Sequence, residues 1–120
     1  MSTGTEQSAL GDGHEVLYFV YSQLAGDDPA AIFTLLNDHL VFLSRLDEQG
    51  VLVTGGPFEE PDGTNSGNGI YVLRTATFTA AEAVVAQDPL HQAGIRIPHI
   101  RRWNRKKDWS VLHDQRQLPT

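Results

Sequence analysis

VLYFVYSQL, residues 16 to 24, is a run of β-branched and aromatic side chains that turns polar only near its end. Such a composition favours an extended chain. Successive strand residues point to opposite faces, so Val16, Tyr18 and Val20 share one face and Leu17, Phe19 and Tyr21 the other. Both sets are apolar. A strand of this kind belongs to a sheet that is covered on both sides, and the rest of the chain must supply the covers.

Downstream, Asp28-Pro29 offers an N-cap followed by proline at the first helical position, and a helical pattern then runs to about Gln49, where Gly50 ends it. At 100° per residue Ile32, Leu36, Leu43 and Leu46 form one stripe, with Asn37, Ser44 and Glu48 opposite. Val51 to Thr54 reads as a short strand leading into Gly55-Gly56-Pro57. The stretch EEPDGTNSGNG, residues 59 to 69, is turn chemistry, and Ile70 to Thr75 is the strand that returns from it as a hairpin. Thr79 with Glu82 makes a capping box for a second helix, Ala80 to Gln87, broken at Asp88-Pro89. After Gly94, Ile95 to Trp103 is the last strand, and Pro98 within it suits an edge. The order βαββαβ predicts an α+β, ferredoxin-like domain with two helices on one face of a four-stranded antiparallel sheet.

That arrangement leaves one sheet face open. About six large apolar side chains left wet would forfeit about 1.5–3 kcal/mol each, comparable with the roughly 5–15 kcal/mol that stabilises a whole domain. A second copy related by a two-fold axis covers the patch with itself, so a homodimer through the sheet, a dimeric α+β barrel, is expected. The rival cover, a terminal extension folded across the sheet, is disfavoured by polar tails.

The composition narrows the function. A chain of 120 residues with 40% hydrophobic side chains holds one core. Residues 1–13 read as a disordered leader, 14–105 as the domain and 106–120 as a C-terminal extension. The chain lacks cysteine, which excludes thiolate metal sites, disulfides and thiol nucleophiles. There is no signal-like leader and no apolar run long enough for a membrane span, so a cytoplasmic protein without a membrane partner is expected. A net charge of −6 argues against nucleic acid as a partner. Five of the nine basic residues, Arg101, Arg102, Arg105, Lys106 and Lys107, nevertheless cluster beside Trp103 and Trp109. They read as a solvated tail or, alternatively, as an anion-attracting rim or an inter-subunit contact.

The remaining polar chemistry centres on His39, which falls in the middle of the apolar stripe. It is either a core residue with satisfied ring nitrogens or a titratable group held in a pocket. Asp88, at the break after the second helix, lies where a carboxylate could meet the imidazole across the helix pair; taken alone it is a turn residue before Pro89. An imidazole with a carboxylate on its far nitrogen has a fixed tautomer and is a better base. Gly55, Gly56 and Pro57 offer backbone that a ligand can approach closely, or simply a tight turn. Arg74 could face a substrate anion and Ser66 could donate to a ligand, though a solvated arginine and a turn serine are the plainer readings. His91 and His99 fall in no metal-ligand spacing, so no metal is expected. No serine sits in a sharp turn with a histidine and an acid placed around it.

These pieces together, VLYFVYSQL, His39-Leu40 with Leu43, Gly56-Pro57, Asp88-Pro89-Leu90 with Ala93-Gly94, and Ile100-Arg101-Arg102-Trp103, resemble the YCII-related family over about residues 14 to 104. The resemblance implies a ferredoxin-like unit that dimerises through its sheet and an active site built on a His–Asp pair, here His39 and Asp88. It also implies likeness to family members of the dehalogenase and dehydrochlorinase type, which eliminate hydrogen chloride without a cofactor. The sequence departs from the family pattern in its longer ends, its glycine-rich hairpin and Pro98. The expected function is a cofactor-independent lyase or isomerase acting on a small ring compound or lactone. Its alternatives are a non-catalytic small-ligand-binding or regulatory module and a haem-free monooxygenase on the same scaffold.

Overall fold

The computed structural model describes residues 10–11 and 13–110. Most of the expected leader and the expected extension beyond residue 110 therefore lie outside the described residues. Four strands form one sheet: β1 (His14–Leu24), β2 (Leu52–Glu59), β3 (Asn65–Leu73) and β4 (Arg96–Lys106). Their spatial order is β2-β3-β1-β4, with antiparallel pairing at each junction. Helices α1 (Leu36–Glu48), α2 (Phe78–Val85) and α3 (Pro89–Gln92) complete the α+β, ferredoxin-like fold.

The alternation in β1 sorts its two faces. Val16, Tyr18 and Val20 join Leu46 of α1, Tyr71 and Leu73 of β3, and Ala81 and Val85 of α2 in the core. The opposite face carries Leu17, Phe19 and Tyr21. Leu17 is fully buried, directly across from Trp103 of β4. Phe19 packs edge-on against Trp103 at 6.3 Å between centroids, and Tyr21 lies 6.0 Å from Phe58 and 6.1 Å from His99. Phe58 and Trp103 remain 44% and 41% exposed, so this aromatic face is only half covered within the chain.

Several expected boundaries move. The long first helix is two pieces: Asp28 accepts a hydrogen bond from the Ala30 amide and starts a 3-10 helix, Pro29–Thr34, and α1 begins only after Leu35. The second helix is capped by Thr77, whose hydroxyl accepts from the Ala80 amide, so the Thr79/Glu82 capping box is not what starts it. The stretch 59–69 is mostly strand, and only residues 60–64 turn. Side chains make this possible. Asn68 accepts from the Leu24 amide, Ser66 donates to the Phe58 carbonyl, and Gly67 takes a left-handed φ of 86° that few other residues adopt. Gly55-Gly56-Pro57 accordingly lies within β2, not in a turn, and Pro57 and Pro98 both fall on edge strands. The basic segment from Arg101 to Lys106 belongs to β4 and is not a tail.

Gly55 is where β2 touches the core. A Cβ placed there would come within 2.8 Å of the Tyr71 Cβ and 3.0 Å of the Ile70 carbonyl oxygen. Gly55→Ala should therefore destabilise the domain by about 1–3 kcal/mol through overpacking. Equilibrium urea denaturation of the two proteins measures it.

Candidate active site

α1 carries His39 on its inner face, one turn from the helix start, where its amide donates to the Leu35 carbonyl. Asp88 ends the turn after α2 and caps α3, its Oδ1 accepting from the Leu90 amide at 2.9 Å, with Pro89 at the first helical position. Because α1 and α3 pack side by side, the two groups meet. His39 Nδ1 lies 2.9 Å from Asp88 Oδ1 and 3.0 Å from Oδ2, with the imidazole 6% exposed and the carboxylate fully buried. A carboxylate only accepts, so Nδ1 carries the proton and donates it. Tyr71 of β3 donates its hydroxyl to Asp88 Oδ2 at 3.2 Å.

A second histidine backs this cluster. His91 Nδ1 donates to the Val85 carbonyl at 2.9 Å and stands 3.8 Å from Asp88 Oδ2. With that nitrogen protonated, Nε2 accepts the Ser22 hydroxyl at 2.6 Å. Ser22 is fully buried and does not reach the cavity described below, so this Ser–His pair braces β1 against α3.

A cavity of about 390 Å³ opens between α1 and the β2–β3 half of the sheet. Ile32, Leu36, Leu40, Leu43 and Leu52 make its walls apolar. Its polar groups converge from other elements: His39, Tyr71, Asn65 and Arg96, with the backbone around Gly55, Gly56 and Pro57 along one side. With Nδ1 committed to Asp88, Nε2 is the nitrogen His39 can offer to a molecule in the cavity. Arg96 is 5% exposed, its Nε donating to the Gly67 carbonyl at 2.7 Å.

The cavity thus gathers five of the seven residues singled out from sequence or their direct partners: His39, Gly55, Gly56 and Pro57 line it, and Asp88 stands behind His39. Ser66 and Arg74 are elsewhere. Ser66 Oγ serves the hairpin, donating to Phe58 and accepting from the Asn68 amide. Arg74 grips Glu15 through Nε at 2.8 Å and Nη2 at 3.2 Å. Residues 101–107 do not line the cavity either. Arg96, Tyr71 and Asn65 were not foreseen. Arg96 opens a strand beside Gly94, where a cation ordinarily stays in water, so nothing local signals its burial. Among the described residues no group of three or more His, Asp or Glu side chains is placed to hold a metal ion, and no helix is long and apolar enough to cross a membrane.

Burial alone would raise the Asp88 carboxyl. The hydrogen bond from His39, the charges of His39 and His91 when protonated, and the Leu90 amide outweigh it and hold Asp88 below the usual carboxylate range. Burial lowers His91, against the pull of Val85 and Asp88. Burial raises the Tyr71 phenol far above its ordinary value, with the Asp88 charge adding to the effect, so Tyr71 stays a donor.

The YCII-related domain model matches residues 16–104. No curated protein matches the chain. Among solved structures, 5-chloro-2-hydroxyhydroquinone dehydrochlorinase (TftG) from Burkholderia phenoliruptrix AC1100, in complex with 2,5-dihydroxybenzoquinone, is similar at a TM-score of 0.62 and 18% identity, over 72% of this chain and 92% of that one. SnoaB, a cofactor-independent oxygenase from Streptomyces nogalater, is similar at a TM-score of 0.47 and 14% identity, over 79% of this chain and 97% of that one. At such identities the likeness to TftG is one of fold.

Both perturbed acids in the cluster act on stability in the same direction. Asp88 and His91 each bind fewer protons folded than unfolded, so stability rises with pH. The His91 contribution is complete above its ordinary value of 6.5 and is lost as pH falls through its lowered folded value. The Asp88 contribution is complete above 3.8 and is lost below it. Urea midpoints followed from about pH 8 down to about pH 3 should fall in two stages, and Asp88→Asn should shrink the lower one, to which Glu15, held below its ordinary range by Arg74, also contributes.

Proposed function

We propose that the chain, which belongs to the YCII-related domain family, is a small enzyme that abstracts a proton from a compact ring compound or lactone by means of a His39–Asp88 dyad. The carrying observation is the bidentate approach of Asp88 to Nδ1 of an imidazole that lines an apolar cavity. Nothing in this step needs a cofactor. His39 Nε2 takes the proton of an acidic C–H, and the C–H electron pair passes into the substrate as an enolate or carbanion. Where the neighbouring carbon bears chlorine, that pair forms the new double bond and chloride leaves; the imidazolium later returns its proton to solvent, completing a loss of hydrogen chloride. Without a leaving group, return of the proton to a different carbon gives an isomer. Asp88 holds the tautomer and stabilises the imidazolium as it forms. Main chain at Gly55 and Gly56 lies close enough to the cavity to contact the substrate directly.

The ligand named with TftG, a small dihydroxyquinone, is of a size that a cavity of about 390 Å³ accommodates. The assay is therefore chloride release, and hydrogen–deuterium exchange at the acidic carbon, across a panel of chlorinated lactones and quinols. His39→Ala should lower the rate about 10²–10⁴-fold, and Asp88→Asn should lower it by less while leaving binding in place. Unchanged exchange in His39→Ala would refute the assignment. Binding across the panel with no exchange or turnover in the wild type would favour a ligand-binding module instead.

The working unit proposed here is a homodimer joined through the open sheet face. Its support is the row formed by Phe19, Tyr21, Phe58, His99 and Trp103, half covered within one chain, on a sheet whose two edges both carry proline. Sedimentation equilibrium should return twice the chain mass for the wild type and a monomer for Phe19→Asp combined with Tyr21→Asp. A monomeric wild type would reject the dimer.

A further inference from the structure

Arg96 is the charged side chain in the cavity that the dyad does not use. It is 95% buried by accessible area, since 5% remains exposed, yet among the described residues it forms no ion pair. Its Nε donates to the Gly67 carbonyl, which spends one of five N–H donors. Among the described residues neither terminal nitrogen has a hydrogen-bond partner. Asp88 contributes to its electrostatic surroundings but has both oxygens engaged by His39, Tyr71 and Leu90. A Cβ added at Gly69 would lie 3.5 Å from Arg96 Nη1 and 3.1 Å from the Gly56 carbonyl oxygen. Because Gly56 and Gly69 both line the cavity, this nitrogen sits at the cavity's sheet side.

A guanidinium stays charged when buried, and a buried charge without a counter-ion is costly unless something pairs with it. Its fork of parallel donors matches the two oxygens of a carboxylate, or an enolate oxygen with its neighbour. We infer that Arg96 is a substrate-binding residue that selects anionic ring compounds, its free nitrogens holding a carboxylate or ring-enolate oxygen while the ring lies among Ile32, Leu36, Leu40 and Leu43. The aliphatic walls then bury the ring and Arg96 fixes which edge faces the sheet. This deepens the proposed function, resting on the cavity being a substrate site but not on His39 acting as a base.

Two matched pairs test it by calorimetric titration: benzoate against neutral benzamide, and 2,5-dihydroxybenzoquinone, which ionises readily, against its neutral dimethyl ether. The wild type should bind at least one anion about 10- to 100-fold more tightly than its neutral counterpart, and which anion does so tells a carboxylate from a ring enolate. Arg96→Met should abolish that preference. Arg96→Lys should restore part of it. Equal binding within both pairs, or no detectable binding of either anion, overturns the assignment, and the wild-type comparison alone decides this if the variants fail to fold. The two readings can fail separately. Anion preference without proton exchange in any substrate removes the dyad's role alone, whereas exchange without anion preference removes that of Arg96 alone.

Discussion

The molecule is organised around one buried carboxylate. Asp88 has no solvent contact, and an ionised carboxylate in that position is tolerable only with its lone pairs filled. Three elements fill them: His39 from α1, Tyr71 from β3 and the Leu90 amide from α3. The same contacts therefore hold α1 and α3 to the sheet and fix the imidazole's tautomer. The geometry of the proposed dyad and local folding are one set of hydrogen bonds, and His91 extends it to β1 through Ser22.

His39 was legible because a histidine centred in an aliphatic helical stripe breaks a local rule. Asp88 by itself reads as a turn residue ahead of Pro89, and it stood out only as a carboxylate that could meet that histidine across the helix pair. The two faces of VLYFVYSQL were legible for a similar reason, since alternation has a period that no helix imitates. The second strand of the hairpin was not. Asn65, Ser66, Gly67 and Asn68 have the composition of a turn, and they become strand because Ser66 bonds to Phe58 across the hairpin and Asn68 to Leu24, a residue distant in sequence. Arg96 is the stronger case. Its placement depends on the carbonyl of Gly67 and on the missing side chain of Gly69, where a Cβ would come within 3.5 Å of Nη1, both supplied by a bulged strand that local pattern cannot locate.

The sheet divides its labour by face. One side is committed to helices and cavity, and the other presents aromatic rings with solvent-accessible edges. Pro57 on β2 and Pro98 on β4 remove amide donors from both outer strands, which discourages another chain from extending the sheet edge to edge. Association that covers rings face to face is left as the mode the surface favours. In such an assembly the cavities lie on the outward sides, between each sheet and its own helices, so each subunit keeps its site whole.

The charges around the cavity also make sense together under the proposed chemistry. The proposed step starts with Asp88 negative and Arg96 positive, so an anionic ring compound would meet one cation whose terminal nitrogens no described residue engages. Proton transfer to Nε2 creates a positive charge beside Asp88 and increases the negative charge on the substrate, which Arg96 faces. Each developing charge thus meets an opposite charge already in position, within aliphatic walls where the interaction is stronger than in water. A neutral substrate would leave Arg96 unpaired in the ground state, and the bulky apolar lining offers it no other counter-ion. That asymmetry is the physical reason to expect an anionic rather than a neutral substrate in a cavity shared by His39 and Arg96.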